Sequence, residues 1–153
     1  MAGAGGTAAP GRAPGRVVAL DLGSRRIGIA YSDSGRTVAS PWGKIERSGD
    51  PDRDRAAIVG AVSEIEAGLV VIGLPLSLSG RHGPAATAAL AEVAALRQEL
   101  DPLGIGVETA DERFTTVEAQ RSLTAAGRKG KAARSVIDSA AAMVLLQAWL
   151  DRA

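Results

Sequence analysis

The sequence predicts an α/β protein with a mixed five-stranded sheet and helices on both faces. Three strand-like segments joined by short turns come first, and such connections favour an antiparallel meander. Strands and helices then alternate, which requires parallel strands. The chain has 153 residues, of which 46% are hydrophobic and 23% charged, as expected for one globular domain with its own core.

The first predicted strand is an apolar run, Val17 to Leu20, that leads into the carboxylate of Asp21. Gly23 then permits a sharp turn, and β-branched residues bounded by a turn indicate a buried strand. A carboxylate at the end of a buried strand is costly unless a backbone turn, an arginine or a metal ion compensates its charge. The sequence leaves these three possibilities open.

The second and third strands are predicted over residues 26–33 and 37–46, with a turn at Gly35 between them. Pro41 lies within the third segment, and the backbone donor that it lacks is dispensable only at the edge of a sheet. The third strand is therefore predicted to be an edge strand.

A helix and a buried strand follow. Asp50 and Pro51 suit an N-cap and a first helical position, and apolar residues then recur at helical spacing. Gly68 is expected to end this helix. Residues 69–74 form a continuous apolar run, which is typical of a parallel strand covered on both faces.

The next part of the chain repeats this alternation. Residues 77–84 contain two glycines and a proline and are predicted as a loop. A second helix follows and ends before Pro102. Residues 105–110 form the fifth predicted strand.

Two further helices complete the predicted order. The capping box Thr115-x-x-Glu118 begins one of them, and Gly127 ends it. The basic segment 128–134 is predicted as a loop, and Ser135 caps a last helix that runs close to the end of the chain.

Composition restricts the chemistry. The chain has no cysteine and a single histidine, which excludes disulfides, thiolate metal sites and thiol catalysis as well as multi-histidine zinc sites. Any metal must be held mainly by oxygen, and this favours Mg²⁺ or Mn²⁺.

Residues 1–15 are a mixture of Gly, Ala and Pro, and we interpret them as a disordered leader. The fold is expected to occupy residues 16–153 as a single domain. No apolar run approaches the roughly 20 residues of a membrane helix, and a cytoplasmic location is expected.

Acidic residues fall at three places that the predicted fold could bring together. Asp21 ends the first strand, Asp111 and Glu112 end the fifth, and Asp138 lies in the first turn of the last helix. Functional groups of open α/β sheets gather beyond the carboxyl ends of parallel strands. Three carboxylates in one pocket repel each other unless a divalent cation neutralises them. Two such cations would support phosphodiester hydrolysis.

Each acid also has a structural interpretation. Asp21 can cap its own turn, Asp138 is favourable near a helix N-terminus on charge alone, and Asp111-Glu112 can belong to a solvated loop. Because neighbouring strand residues face opposite ways, only one of Asp111 and Glu112 should point at a shared site, and spacing leaves the choice open.

Basic residues are unevenly distributed. Between Glu118 and Asp138 the chain has five cations and no acid, and two more cations follow Asp21. These residues are Arg121, Arg128, Lys129, Lys131 and Arg134, with Arg25 and Arg26 after Asp21. They suit a nucleic-acid phosphate backbone, although charge that keeps a loop soluble explains them equally well. Aromatic residues are only 3%, so recognition by base stacking is not expected.

Four motifs occur in order along the chain. They are Asp21-Leu22-Gly23 with Arg26-Ile27-Gly28-Ile29-Ala30, Gly73-Leu74-Pro75 with Gly80 and Gly83-Pro84, Asp111-Glu112-Arg113-Phe114-Thr115-Thr116, and Asp138-Ser139-Ala140-Ala141-Ala142. With these motifs the chain, from about residue 16 to residue 151, resembles the YqgF/RuvX family. Members of that family are called pre-16S rRNA nucleases or Holliday junction resolvases.

The resemblance implies a ribonuclease H-like fold and an endonuclease that depends on Mg²⁺ or Mn²⁺. Asp21, Glu112 and Asp138 match the acidic positions of the family, which favours Glu112 over Asp111. Arg113 matches its arginine and would contact phosphate or the carboxylates. The implied partner is nucleic acid, either precursor rRNA or a four-way DNA junction. The protein would be a monomer or, if it resolves junctions by paired cuts, a two-fold homodimer.

Two other functions remain open at this point. The first strand and its turn also resemble a phosphate motif of actin-like and sugar-kinase ATPases, which close two such domains around ATP, whereas this chain supplies one. The other alternative is a nucleic-acid-binding assembly factor without catalytic activity.

Overall fold

The computed structural model describes residues 15–74, 84–111 and 131–152. The elements, in chain order, are β1 Arg16–Leu22, β2 Arg26–Ser32, β3 Ala39–Glu46, α1 Pro51–Ile65, β4 Ala67–Leu74, α2 Pro84–Leu100, a 3₁₀ turn Asp101–Leu103, β5 Gly106–Asp111 and α3 Lys131–Arg152. Residues 1–14 of the predicted leader, residues 77–83 of the predicted loop and the predicted helix over 115–127 lie outside the described residues.

The five strands form one mixed sheet in the order β3-β2-β1-β4-β5. β1 and β3 each pair antiparallel with β2, whereas β4 is parallel to both β1 and β5. The predicted meander followed by parallel strands is confirmed. β3 lies at the edge of the sheet, as Pro41 predicted.

Helices cover both faces of the sheet and create two separate cores. On one face, Val18, Leu20 and Ile72 are buried under α1 and α2. On the other face, Val17 and Ala19 are buried under α3. None of the described helices is long and apolar enough to cross a membrane.

The start of α1 follows the prediction, but its end does not. The Asp50 side chain accepts hydrogen bonds from the backbone of residues 52 and 53, and Pro51 occupies the first helical position. The helix ends at Ile65 and is capped by Glu66, which adopts a left-handed conformation with φ 63°, and Gly68 lies inside β4. The reason is long-range pairing, since Ala67 pairs with Arg16 of β1 and must already be extended.

The last helix also begins earlier than predicted. It starts at Lys131 instead of at a cap on Ser135, so the end of the predicted basic loop, including Arg134, is helical. The residues before Ser135, Lys-Ala-Ala-Arg, are strong helix formers and extend the helix upstream. Asp138 therefore lies about two turns into α3 and not in its first turn. Pro84, predicted to close a loop, instead begins α2.

Candidate active site

The carboxyl ends of the three parallel strands meet at one edge of the sheet, which we call the carboxyl edge. Leu20 of β1 is level with Ile72 of β4, and Leu74 of β4 is level with Asp111 of β5. Asp21 and Asp111 therefore both lie at this edge, on opposite sides of β4.

Side chains of β1 alternate between the two faces, and this alternation decides where Asp21 points. Val17 and Ala19 pack against α3, whereas Val18 and Leu20 belong to the core under α1 and α2. Because residues two apart in a strand share a face, Asp21 continues the row of Val17 and Ala19. The half-buried Asp21 thus lies on the α3 face.

Two polar contacts show in which direction α3 crosses the sheet. The Ser139 hydroxyl donates to the carbonyl oxygen of Gly43 at 2.9 Å. Eight residues later, the Gln147 side-chain oxygen accepts from the Ala39 amide at 3.0 Å. Gly43 lies nearer the end of β3 that shares the carboxyl edge of β1, so α3 runs antiparallel to β1 with its N-terminal half at this edge.

The level of Asp138 follows from the same contacts. Gly43 pairs with Ile29 in β2, and Ile29 pairs with Leu20 in β1. Ser139, bound to Gly43, is therefore level with the residue that precedes Asp21. The fold brings the backbone of Asp138 and the end of β1 to the same level on the same face.

Asp111 lies on the other face. Glu108 accepts a hydrogen bond from the Trp149 indole of α3 at 3.3 Å, and Ala110 packs against the α3 core. Val107 packs instead against the core under α1 and α2. By the alternation of the strand, Asp111 shares the face of Val107. Glu112 lies outside the described residues.

The turn after Asp21 is tight and requires glycine. The Gly23 amide donates to the Asp21 carbonyl oxygen at 3.0 Å. A β-carbon on Gly23 would approach the carbonyl oxygen of Arg26 to 2.6 Å, closer than real β-carbons come. The carbonyl of Gly23 also accepts a hydrogen bond of 2.6 Å from the Arg47 side chain.

Several of these positioning contacts were not predicted from the sequence. Ser139 was part of a motif without an assigned role. No sequence pattern indicated a structural role for Gln147, Arg47 or Glu92. Each of these side chains binds a partner far away in the chain: Ser139 lies 96 residues from Gly43, and Arg47 lies 45 residues from Glu92.

The cationic candidates are only partly placed. Arg25 and Arg26 are exposed at the carboxyl edge. A cleft of about 520 Å³ beside them has mixed charge, and its lining residues are Ser24, Arg25, Glu46, Arg47, Gly49, Pro51 and Asp54. Lys131 and Arg134 belong to α3. The other four cations lie outside the described residues, and they are Arg113, Arg121, Arg128 and Lys129.

Metal-binding chemistry at this edge is limited to oxygen. Among the side chains that the structure describes, those of residues 15–74, 87–111 and 139–152, no group of three acidic or histidine side chains forms a metal site. The described candidate donor on the α3 face is the Asp21 carboxylate, and hard oxygen donors of this kind suit Mg²⁺ or Mn²⁺. The donor type therefore fits such an ion.

The architecture is a ribonuclease H-like fold, as the sequence predicted. Thermus thermophilus RuvC matches with a TM-score of 0.60 at 13% identity, covering 90% of this chain and 95% of RuvC. A structure titled "T. thermophilus RuvC in complex with Holliday junction substrate" matches with a TM-score of 0.58 at 12% identity, covering 90% and 94%. At these identities the similarity concerns the fold alone.

Residues 15–152 match the model of the RuvX family, described as Holliday junction resolvase, and the chain belongs to this family. A Mycobacterium sp. (strain KMS) protein named "Putative pre-16S rRNA nuclease" is 44% identical over 143 residues, covering 94% of this chain and 82% of that protein. A Rhodococcus opacus (strain B4) protein of the same name is 46% identical over 145 residues, covering 93% and 79%. The resemblance and the enzyme class that it implied, a nuclease, are confirmed.

Proposed function

We propose that the protein is a divalent-metal-dependent endonuclease that hydrolyses phosphodiester bonds at the carboxyl edge of its sheet. One observation carries this proposal: the N-terminal half of α3 reaches the level of Asp21 on the face to which Asp21 belongs. Two acids that are 117 positions apart in the chain thereby approach one place. In our proposal, Asp21, Asp138 and Glu112 together hold Mg²⁺ or Mn²⁺.

The alternation of β5 supports Glu112 as the third ligand. Glu108 and Ala110 contact α3, and we propose that the same period of two continues to Glu112, which would then face α3 as well. Asp111 belongs to the opposite face and is not proposed as a ligand. The resemblance to the family favours the same choice.

A divalent ion bound there would supply an activated water and neutralise the charge that develops on the phosphate. The protein's own residues would hold three carboxylates around the ion and bind the phosphate backbone of the substrate. Exposed Arg25 and Arg26 flank the site. Arg113 and the cations of the segment 121–134 are proposed to extend this contact along the phosphates.

We propose precursor 16S rRNA, cut near its 5′ end, as the substrate, because relatives at 44–46% identity carry that name. A four-way DNA junction is the second candidate, because the family description names Holliday junction resolvases. The two substrates imply different assemblies. Resolution of a junction needs paired cuts and hence a two-fold dimer, whereas rRNA processing can be done by a monomer.

A cleavage panel tests the proposal. Wild-type protein is incubated with a precursor 16S rRNA fragment, a four-way junction and a plain duplex, each with Mg²⁺, Mn²⁺ or EDTA. We expect metal-dependent cleavage of the rRNA fragment and the loss of this cleavage in Asp21→Asn, with RNA binding retained. Asp111→Asn is the matched control, since it removes a charge at the same edge but on the other face.

Each outcome of the panel has a definite meaning. Cleavage of the junction alone would replace the proposed substrate by the second candidate. Cleavage by Asp21→Asn at the wild-type rate would refute the proposed site. Binding without cleavage under every condition would favour an assembly factor.

A further inference from the structure

The turn that follows Asp21 is fastened to α2 through one arginine. The Arg47 Nε donates to the Gly23 carbonyl oxygen at 2.6 Å. The two terminal nitrogens of Arg47 donate to the two carboxylate oxygens of Glu92 at 3.0 and 3.1 Å. Arg47 follows β3 and Glu92 lies in α2, so three separate elements meet at this guanidinium.

The interaction between Arg47 and Glu92 is stronger than an ordinary surface ion pair. The fork of two parallel hydrogen bonds fixes the plane of the guanidinium. The Arg47 and Glu92 side chains are only 23% and 21% exposed, which reduces screening by solvent. The Arg47 backbone is also held, because its amide donates to the Arg25 carbonyl oxygen at 2.9 Å.

A direct connection leads from Arg47 to the candidate metal ligand. The Gly23 carbonyl accepts from Arg47, and the Gly23 amide donates to the Asp21 carbonyl oxygen at 3.0 Å. The peptide unit before Gly23 is thus bonded to Asp21, and the peptide unit after Gly23 is bonded to Arg47. A displacement of the turn would move the backbone of Asp21 and with it the carboxylate.

We propose that Arg47 is a positioning residue for Asp21 and that Glu92 orients Arg47 for this role. The inference rests on the proposed function and deepens it by naming what holds the first metal ligand in place. Arg47 is not a catalytic residue in this proposal, because it acts through the backbone of the turn. Outer partners of this kind typically change metal affinity or activity by about 10–100-fold.

The chain offers a matched control in Arg55. This α1 residue binds Glu99 of α2 through Nε at 2.7 Å and also pairs with Asp52. Its side chain is 19% exposed, close to the value for Arg47. Arg55 therefore makes a comparable contact with α2, but its partners Glu99 and Asp52 lie outside the turn after Asp21.

The test compares Arg47→Ala with Arg55→Ala in the full-length protein. The measurements are the dissociation constant for Mn²⁺, the single-turnover cleavage rate at saturating metal and RNA, the melting temperature, and amide hydrogen exchange at Gly23. We expect Arg47→Ala to weaken Mn²⁺ binding by about tenfold or more and Arg55→Ala by less than about twofold. Both variants should melt at similar temperatures, and exchange at Gly23 should rise in Arg47→Ala alone.

Two conservative substitutions keep the test interpretable if Arg47→Ala unfolds the protein. Lysine can reach one partner of Arg47 but cannot bind both with a planar fork, so Arg47→Lys should lie between wild type and Arg47→Ala. Glu92→Gln keeps one acceptor and should have a smaller effect in the same direction. These two variants decide the question if Arg47→Ala does not fold.

The outcomes separate this inference from the proposed function. Equal Mn²⁺ affinities and Gly23 exchange in the Arg47 and Arg55 variants would overturn the positioning role while leaving the nuclease intact. A wild-type protein that neither binds Mn²⁺ nor cleaves any substrate would refute the proposed function and, with it, the role of Arg47 in catalysis. Exchange at Gly23 would then still show whether Arg47 holds the turn.

Discussion

The two faces of the sheet are built from the same strands, yet they end differently at the carboxyl edge. Under α1 and α2, the row Val18, Leu20 and Leu22 of β1 is apolar to the end of the strand. Under α3, the row Val17 and Ala19 consists of smaller residues and ends in Asp21. On the first face, the β1 side chains are apolar along the whole strand. On the second face, the apolar side chains are followed by a carboxylate at the carboxyl edge.

The difference shows how one strand can serve stability and chemistry at once. A period of two separates the two tasks between alternate residues. A slip of one residue in the pairing of β1 would exchange the faces and would bury Asp21 under the helices that now cover Leu20. The pairing of β1 with β2 and β4 therefore sets the position of the candidate site.

The largest expected effect distinguishes the two faces at the end of β5. Loss of an outer partner of a metal ligand typically costs about 10–100-fold in affinity or activity. Because Glu112 is proposed as a ligand itself, Glu112→Gln should reduce metal-dependent cleavage by at least about 100-fold. Asp111→Asn should leave the rate within a few-fold of wild type, because this residue belongs to the other face. Single-turnover cleavage of the rRNA fragment measures both. The reverse ranking would place Asp111 in the site.

A core substitution on the opposite face should affect stability instead of chemistry. Leu20 is fully buried, and Leu20→Ala should cost about 2–5 kcal/mol of unfolding free energy. Asp21→Asn, one residue further on, should cost much less. Urea unfolding measures the stability, and the cleavage rate per folded molecule should survive in Leu20→Ala alone. Equal destabilisation by the two variants would contradict the division between the faces.

A smaller effect is expected where α3 is fixed to β3. The Ser139 side chain is fully buried, and its hydroxyl donates to Gly43. Ser139→Ala should cost about 1–3 kcal/mol, because it removes the donor of a part-buried carbonyl. It should also weaken Mn²⁺ binding, since it frees the helix next to Asp138. Gln147→Ala, at the distant end of α3, is the control and should lower stability without changing metal affinity.

The smallest effect concerns a carboxylate at the opposite edge of the sheet. Asp33 accepts from the Thr37 amide and hydroxyl at 2.7 and 2.8 Å and from the Val38 amide at 2.8 Å. These bonds, that from Val38 above all, lower the pKa of Asp33 from 3.8 to about 2. Because the folded state favours the charged form, the resulting stabilisation is fully present above pH 3.8 and is lost as the pH falls through about 2.

Asp33→Asn tests this contribution. The stability difference between wild type and Asp33→Asn should shrink as the pH is lowered from 3.8 to about 2, as measured by urea unfolding at each pH. A difference that stays constant over this range would show that the carboxylate does not titrate as the turn geometry requires.

The sequence predicted what depends on local pattern. The apolar run before Asp21, the edge position of β3 from Pro41 and the cap at Asp50 could each be read within a few residues, and the structure confirms the strand, the edge and the cap. The C-terminal end of α1 and the start of α3 were predicted wrongly. The α1 end depends on pairing with β1, and the α3 start on helix formers that a charged-loop interpretation overlooked.

The side-chain contacts that position the candidate site could not be predicted from local sequence patterns. The Arg47–Glu92 and Ser139–Gly43 contacts join residues 45 and 96 positions apart, and neither belongs to a local pattern. The acids could be proposed because the sequence predicted each of them at the end of a strand or in the first turn of the last helix, although Asp138 lies about two turns into α3. The sequence indicated that neighbouring strand residues face opposite ways, but the face to which Asp111 belongs became visible only once the packing of Val107 and Ala110 was known.

Direct titration with Mn²⁺ tests the central claim, which is that Asp21 and Asp138 meet at one metal ion. Calorimetry would compare wild type, Asp21→Asn and Asp138→Asn, with Asp111→Asn as the control at the same edge. We predict that the first two substitutions each weaken binding by about tenfold or more and that the control changes it by less than about twofold. Wild-type affinity in Asp138→Asn, or equal losses in all three variants, would contradict the claim.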